Sequence, residues 1–241
     1  MMKYLIDTHF HLDHYKNYLE IADKVNLLQQ YTIAVTNSPG VFLSCKNIFS
    51  DSKYLKFAIG FHPQEAHLKR ADLNDFMKLA NRTEFVGEVG LDYSKKTFMD
   101  PVFQKECFEE IIRFCAMNNK ILTIHIRKAE EDAISILEKY KPKKAIIHWY
   151  TGNEDHLQQL LDLDCFFSIN TNMVSGKNAD KYRIIPINRI LIESDGPYTK
   201  VKGKRYSPEM LLEAYSVIAE FYKDRDLIMH VYNNFRELLL L

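Results

Sequence analysis

The 241-residue sequence lacks the features of a membrane-spanning, secreted or disulfide-linked protein. No apolar run reaches the roughly 18 residues that a membrane-spanning helix needs. The first residues, MMKYLID, include an acid where a secretory signal would be apolar. Cys45, Cys107, Cys115 and Cys165 form no Cys-x-x-Cys pair and lie in apolar stretches, as buried reduced thiols do. We therefore expect a cytoplasmic protein.

The chain also lacks an excess of charge of either sign. Lys+Arg and Asp+Glu both number 32, so no global field attracts the protein to nucleic acid or to a membrane surface. This balance argues against a protein that coats DNA, but not against an enzyme that binds a few phosphates in a cleft. With 46% hydrophobic residues, the composition is that of a globular protein with a large core.

No linker rich in Pro, Gly or Ser, low-complexity stretch or long-period repeat interrupts the sequence, which predicts a single domain over residues 1–241. Short β-branched or aromatic runs alternate with amphipathic segments from end to end. This alternation predicts a parallel sheet covered by helices, and eight such units favour a closed TIM (β/α)8 barrel over an open sheet, the alternative. The predicted strands are residues 4–6, 31–36, 56–60, 84–86, 121–124, 145–147, 165–169 and 190–192.

Two of the amphipathic segments predict helices, over residues 100–118 and 128–139. Asp100-Pro101 is typical of a helix N-cap followed by proline in the first turn. Ser207-Pro208 repeats this arrangement and predicts another helix start.

Polar residues follow most of the predicted strands at the point where each strand ends. Because the carboxyl ends of parallel strands form one rim, where α/β enzymes build their active sites, these residues are expected to converge. Five of the nine histidines take part. The residues are Asp7, His9, His11, His62, Glu88, His125, Arg127, His148 and Asp195.

This set of imidazoles and carboxylates predicts a site for divalent metal ions. His9 and His11 are alternate residues of one strand, so both rings can reach the same ion. His125 and His148, from neighbouring strands, are candidates for holding a second ion, with Glu88 bridging the pair. Imidazole suits Zn²⁺ or Mn²⁺, and carboxylate keeps Mg²⁺ possible. A single histidine at a strand end is more often structural, but so many titratable groups on one rim favour a metal site.

Other residues near the strand ends are candidates for binding a substrate, each with a structural alternative. His62 is either a donor to a substrate phosphate or a structural partner. Arg127 suits phosphate binding or a salt bridge across the barrel. Trp149 and Tyr150 are either a stacking surface for an unpaired base or core aromatics.

The stretch KVKGKR (residues 200–205), which includes Lys204 and Arg205, is either a loop that guides a DNA strand or a solvated loop. His14 lies off the strand-end pattern and is predicted to be a surface or capping residue.

These residues lie in motifs that resemble, in order, those of the TatD family of metal-dependent deoxyribonucleases. The resemblance runs from Asp7 to about Arg236, with Ser194 where the family usually has threonine. The motifs are DTHFHLD (7–13), GFHP (60–63), GEVGLDY (87–93), HIR (125–127), HWYTG (148–152), ESDGP (193–197), GKR (203–205) and NNFR (233–236).

The resemblance implies a TIM-barrel hydrolase that uses two divalent ions (Zn, Mn or Mg), usually a nuclease on DNA and often a 3′–5′ exonuclease. It implies His9, His11 and Asp195 as ligands of one ion, His125 and His148 as ligands of the other, and Glu88 as the bridge. The resemblance also implies that Asp195 and Glu88 are catalytic residues. Asp195 would take the proton of the attacking water.

Within the family, the motif neighbours most resemble the TatD-type component of Qat anti-phage defence systems. That likeness implies a role in anti-phage defence and partner proteins of a defence system.

Two other functions compete with a phosphodiesterase. A small-molecule amidohydrolase would share the barrel and the His-x-His start, but such enzymes often bridge their metals with a modified lysine where this chain has Glu88. A catalytically silent binding subunit of a defence or repair complex is the other alternative, although every ligand position is filled.

Overall fold

The computed structural model describes residues 5–50, 52–95, 97 and 99–241. Tyr4, the first residue of the first predicted strand, lies outside the described residues. The main sheet contains eight strands in the order of the sequence. They are β1 Ile6–Phe10, β2 Tyr31–Val35, β3 Leu55–Phe61, β4 Phe85–Asp92, β5 Ile121–Arg127, β6 Ala145–His148, β7 Phe166–Ile169 and β8 Ile190–Ile192.

Helices follow the strands, as the alternating pattern predicts. A short antiparallel hairpin, β9 Lys200–Val201 and β10 Lys204–Arg205, follows β8. Among the described residues, no helix has both the length and the apolar character to cross a membrane. The helices are α1 Tyr18–Leu27, α2 Pro39–Ile48, α3 Arg70–Ala80, α4 Pro101–Met117, α5 Glu130–Tyr140, α6 Glu154–Asp162, α7 Thr171–Val174, α8 Leu211–Tyr222 and α9 Leu227–Leu240.

The described residues group into two compact units. One is drawn from Met1–Ala34, Ser50–Lys56 and Phe167–Leu240, and the other from Val35–Phe49, Phe57–Phe166 and Leu241. The first unit therefore holds β1, β8 and the hairpin, and the second holds β4, β5 and β6. The single domain stays a prediction.

In the first unit, the first and last strands of the sheet are neighbours. The Thr8 hydroxyl donates to the carbonyl of Ile192 (3.0 Å), and the N–H of Asp195 donates to the carbonyl of His9 (2.9 Å). The Tyr215 hydroxyl of α8 fastens the helix to β1 by donating to the carbonyl of Ile6 (2.8 Å). A strand order from β1 to β8 with β1 beside β8 is that of a (β/α)8 barrel.

In the second unit, β4, β5 and β6 run parallel, with six residue pairs between β4 and β5 and four between β5 and β6. His125 of β5 stands opposite His148 of β6, and Gly90 of β4 stands opposite His125. All eight residues of β4 are buried, as expected for a strand covered on both faces. Gly90 has a φ of 156°, and a Cβ there would lie 1.9 Å from the carbonyl oxygen of His125, so only glycine permits this approach.

Several strands extend further toward their carboxyl ends than predicted. β1 ends at Phe10, β4 at Asp92 and β5 at Arg127, so His9, Glu88 and His125 lie within strands rather than after them. The prediction ended each strand where its apolar run stopped. The pairing of β4 with β5 shifts register between Val86 and Val89 and then resumes as far as Asp92 and Arg127.

The helix starts agree in part with the prediction. Asp100 caps α4, since its carboxylate accepts the N–H groups of Val102 (2.9 Å) and Phe103 (3.2 Å). Ser207 makes no side-chain capping bond, and Pro208–Met210 forms a short 3-10 turn before α8. The helix predicted over residues 128–139 runs instead over Glu130–Tyr140.

Candidate metal centre

His9, His11 and Asp195 form a buried group in the first unit, here called the His9 cluster. The two Nε2 atoms of the histidines lie 3.2 Å apart. Asp195 Oδ1 lies 3.3 Å from Nε2 of His11 and 3.6 Å from Nε2 of His9. The hydrogen bond from the Asp195 N–H to the His9 carbonyl brings the residues after β8 against β1. The predicted convergence of these three side chains is present.

The spacing of these three atoms fits a divalent cation. Two ligand atoms at 2.0–2.1 Å from a tetrahedral zinc ion lie about 3.3–3.4 Å from each other. The observed separations of 3.2, 3.3 and 3.6 Å bracket that value. Two imidazole nitrogens and one carboxylate oxygen are also a donor set that zinc, manganese and similar ions accept. The residues present therefore fit the metal that the sequence predicts.

Asp7 accepts hydrogen bonds from residues that adjoin or belong to the His9 cluster. Its Oδ1 accepts the N–H of Ser194 (2.9 Å) and the N–H of His9 (3.3 Å). Its Oδ2 accepts the hydroxyl of Tyr206 (3.4 Å). Burial raises the pKa of Asp7 to about 7, although these hydrogen bonds favour the carboxylate. Asp7 thus ties the strand that carries His9 to the segment that carries Asp195.

A second buried group surrounds Glu88 in the second unit, and it is here called the Glu88 cluster. Glu88 Oε1 lies 2.8 Å from Nδ1 of His125, 3.0 Å from Nε2 of His62 and 3.7 Å from Nε2 of His148. The side chains arrive from β4, β5, β6 and the end of β3. The structure therefore brings His125 and His148 to the same carboxylate oxygen, as predicted, and adds His62.

His125 lies between two carboxylates. Its Nδ1 faces Glu88, and its Nε2 lies 3.2 Å from Oδ2 of Asp92. Burial alone would lower the pKa of His125, but the hydrogen bonds to Asp92 and Glu88 outweigh it and raise the pKa to about 9. The two carboxylates therefore favour a positive charge at the position of His125.

Asp92 holds His125 in this orientation. Burial favours the neutral acid, yet hydrogen bonds from His125, Ser94 and Gln64 outweigh it and keep the pKa of Asp92 well below its ordinary value. The Gln64 amide donates to Oδ2 at 2.6 Å, and the Ser94 N–H donates to Oδ1 at 2.8 Å. A carboxylate behind a ligating imidazole is the usual support of a metal-bound histidine.

The hydrogen bonds of His62 define its tautomer. Nδ1 accepts the N–H of Gln64 (3.1 Å), so the ring proton is on Nε2, which donates to Glu88 (3.0 Å). A protonated Nε2 is a donor and not a metal ligand. Of the two roles open from the sequence, this favours the structural partner, which orients Glu88.

The residues predicted to bind a substrate differ in exposure. Tyr150 is fully buried and its hydroxyl donates to the carbonyl of Asn153 (3.0 Å), so it is a core aromatic. Trp149 is half-buried, with its ring centroid 6.3 Å from that of His148. The side chains of Arg127, Lys204 and Arg205 are exposed.

The predicted DNA-guiding loop is the β9–β10 hairpin, which turns at Lys202 (φ 46°) and Gly203 (φ 81°). The Lys202 ammonium pairs with Glu213 (2.7 Å). Arg205 Nε donates to the carbonyl of Pro197 (3.2 Å), which places the guanidinium beside the segment after Asp195.

His14, predicted to be a surface or capping residue, is half-buried and lies against the His9 cluster. The His14 ring stacks on that of His11, with centroids 4.8 Å apart and an interplanar angle of 7°. His11 precedes the 3-10 turn Leu12–His14, in which residues three apart nearly eclipse each other. The turn therefore folds His14 back over a residue of the His9 cluster.

Two further residues of the site were not singled out from the sequence, although a signal for each was present. Asp92 follows Glu88 by four residues on one strand, an even spacing that places both side chains on the same face. Glu193 is fully buried two residues before Asp195, where Ser168 donates to it and Asn170 Nδ2 donates at 2.8 Å. A glutamate directly after a buried strand was the corresponding signal.

The family model described as "TatD related DNase" matches residues 6–240 of this chain. The chain belongs to the TatD-related DNase family. An uncharacterized metal-dependent hydrolase of Buchnera aphidicola, BU355, is 29% identical over 98% of each chain. The deoxyribonuclease Tat-D of Schizosaccharomyces pombe is 30% identical over 62% of this chain, which spans 49% of that relative. The crystal structure of YJJV, a TatD homologue from Escherichia coli, matches with a TM-score of 0.85 at 19% identity, over 99% of this chain and 98% of that one.

Membership of the TatD-related DNase family confirms two of the predictions. The fold is a TIM (β/α)8 barrel of the metal-dependent hydrolase type, as the likeness to YJJV and the strand order agree. The protein is a metal-dependent hydrolase. The individual ligand and substrate assignments stay predictions that the geometry supports.

Proposed function

We propose that this TatD-family hydrolase cleaves phosphodiester bonds of DNA, with one divalent ion held at the His9 cluster and a second at the Glu88 cluster. The observation that carries the proposal is the spacing of the His9 cluster, in which three donor atoms lie 3.2–3.6 Å apart, as ligands of one cation do. The relative named deoxyribonuclease Tat-D supports DNA as the substrate.

The residues of each cluster have distinct tasks in this proposal. His9, His11 and Asp195 would hold one ion, and Glu88, His125 and His148 the other. Bound divalent ions lower the pKa of water and neutralise charge on phosphate oxygens. A bridging role of Glu88 stays a prediction.

Asp195 is proposed to accept the proton of the attacking water. A carboxylate has two oxygens, so Oδ1 can remain with the imidazoles while the other oxygen takes the proton. A positioned general base of this kind accelerates hydrolysis by about 10²–10⁴-fold. His62 is proposed to act on Glu88 rather than on the substrate, since its Nε2 proton donates to that carboxylate.

The basic hairpin is proposed to guide the DNA strand. Lys204 and Arg205 are exposed on β10, and Arg205 contacts the carbonyl two residues after Asp195. Arg127 at the end of β5 is a further candidate for a phosphate contact. A 3′–5′ direction of cleavage, a cytoplasmic location, partner proteins and a role in a Qat anti-phage system stay predictions.

The test is an activity panel on the purified protein. Labelled single-stranded and duplex DNA are incubated with metal-free protein and with added Zn²⁺, Mn²⁺ or Mg²⁺, beside a set of non-nucleotide esters and amides. We expect DNA hydrolysis that stops after chelation and returns with metal. If the protein hydrolyses amides and leaves the DNA uncleaved, it belongs with the amidohydrolases instead. Full DNA cleavage without detectable metal would exclude the metal mechanism.

A further inference from the structure

Tyr198 is an exposed aromatic residue beside the His9 cluster. Its side chain is 57% exposed, and of the Phe, Tyr and Trp residues that the structure describes it alone is exposed. It follows Asp195 by three residues, and its N–H donates to the Asp195 carbonyl (2.8 Å). An exposed aromatic ring at an enzyme site is typical of a surface that contacts a ligand.

The Tyr198 ring is held in place rather than left to rotate in solvent. Its hydroxyl lies 2.6 Å from Nδ1 of His14. Its ring meets that of His11 edge-to-face, with centroids 5.4 Å apart and an interplanar angle of 81°. Because His14 also stacks on His11, the three rings form one connected group that begins at a candidate metal ligand. A ring fixed before the ligand arrives loses little conformational entropy on binding.

A basic side chain contacts the residue that precedes Tyr198. Arg205 donates to the carbonyl of Pro197, the residue before Tyr198. Lys204 is exposed beside Arg205 on β10, whereas the Lys202 ammonium is paired with Glu213. An aromatic surface combined with basic side chains is the arrangement that binds single-stranded nucleic acid, through base stacking and phosphate contacts.

We propose that Tyr198 is the stacking surface for an unpaired nucleobase of the nucleotide at the scissile phosphodiester, so that the site takes single-stranded DNA ends in preference to paired duplex. A base inside a duplex is already stacked on both sides and must be unpaired before it can use this ring. The inference rests on the proposed function and names the substrate class of the same site.

The main test combines a change in the protein with a change in the substrate. Tyr198→Leu removes the ring, and Tyr198→Phe keeps the ring without the hydroxyl. An abasic nucleotide at the position next to the cleaved bond removes the base. Loss of a stacked base raises Kd or KM roughly 5- to 150-fold. We expect such a rise in KM for Tyr198→Leu on single-stranded DNA, a much smaller effect for Tyr198→Phe, and no further effect of the abasic nucleotide in the leucine variant.

Bound metal is measured on the same preparations, because Tyr198 contacts His11. We expect an unchanged metal content in both variants. Tyr140→Leu, which removes a half-buried tyrosine ring on α5, is the control and should leave KM unchanged. Independent, additive effects of Tyr198→Leu and the abasic nucleotide would overturn the stacking role. Equal effects on single-stranded and duplex DNA, or loss of metal in the leucine variant, would do the same.

Equilibrium binding of a short fluorescent single-stranded oligonucleotide separates this inference from the proposed function. If the protein binds the oligonucleotide through Tyr198 but cleaves no DNA, the stacking surface is supported and the nuclease activity is not. If the protein cleaves DNA equally well with leucine at position 198, the nuclease stands and the stacking surface is excluded. Absence of both binding and cleavage in the wild-type protein would reject both.

Discussion

Replacing Asp92 with asparagine tests whether the support behind His125 controls metal binding. Both carboxylate oxygens of Asp92 act as acceptors in the structure. Oδ1 accepts the Ser94 N–H (2.8 Å), and Oδ2 accepts Gln64 Nε2 (2.6 Å) and His125 Nε2 (3.2 Å). An asparagine side chain has one acceptor oxygen and one NH₂ group, which can only donate. Asp92→Asn must therefore place a donor against at least one of these donors.

The expected magnitude follows from the two ways in which the amide can sit. With its nitrogen toward Ser94 it faces a backbone N–H, and with its nitrogen toward His125 the ring loses the partner that orients it. Loss of a carboxylate behind a metal-binding histidine lowers metal affinity about 10- to 100-fold, or roughly 1.4–2.8 kcal/mol. The fold should survive, because Gln104 bonds the Asp92 backbone at both its N–H (2.9 Å) and its carbonyl (3.1 Å).

The assay is a metal titration of metal-free wild-type and variant protein by calorimetry, with circular dichroism as the check on folding. Asp132→Asn is the matched control. It makes the same chemical change to a carboxylate that accepts from the Tyr93 hydroxyl (2.8 Å) and Lys105 (2.6 Å), outside both clusters. We expect weaker metal binding in Asp92→Asn and none of this effect in Asp132→Asn. A folded Asp92→Asn protein with metal affinity within threefold of wild type would refute the role of Asp92.

Three further predictions concern activity, DNA contact and packing. Asp195→Asn should keep metal through its histidines but lose about 10²–10⁴ in turnover at saturating metal; turnover above a tenth of wild type in metal-loaded protein would show that another group is the base. Changing Lys204 and Arg205 to glutamine should weaken the salt dependence of DNA binding. The slope of log K against log salt concentration should become less steep by roughly 0.7–0.9 for each lost phosphate contact. Lys202→Gln, whose ammonium pairs with Glu213, is the control, and equal slopes in all three proteins would make the hairpin a solvated loop. Gly90→Ala should lower both the thermal midpoint and the bound metal, since its Cβ would lie 1.9 Å from the His125 carbonyl oxygen; wild-type values of both would show that β4 and β5 adjust without cost.

The order of the strands could be predicted from the sequence because short apolar runs alternate with amphipathic segments along the chain. The strand ends could not, because Glu88 and His125 break the apolar pattern although both lie within strands. Toward the carboxyl ends of β4 and β5, these side chains are buried among other polar groups rather than in the apolar core. A prediction based on hydrophobicity therefore stops several residues too early at the positions that carry the site.

The residue types of the site could also be predicted, but their contacts could not. Asp92 was visible as an acid on the same strand face as Glu88, yet its hydrogen bond to His125 depends on the register of β4 against β5. The tautomer of His62 depends on the N–H of Gln64, which lies beyond the reach of any pattern of residue types. The 3-10 turn Leu12–His14 brings His14 against His11, and the hydrophobic periodicity of the sequence does not predict such a turn.

Metal-site residues within strands and exposed residues after β8 are expected to respond differently to substitution. Glu88 and His125 lie within long strands, and His9 lies within β1, and sites built on strands hold their side chains more precisely than sites on loops. Tyr198 and Arg205 lie in the segment after β8, where exposed side chains can meet ligands of varied shape. A change in a strand residue should therefore alter metal content first and turnover as a consequence. A change at Tyr198 or Arg205 should instead alter which nucleic acid is bound, at constant metal content.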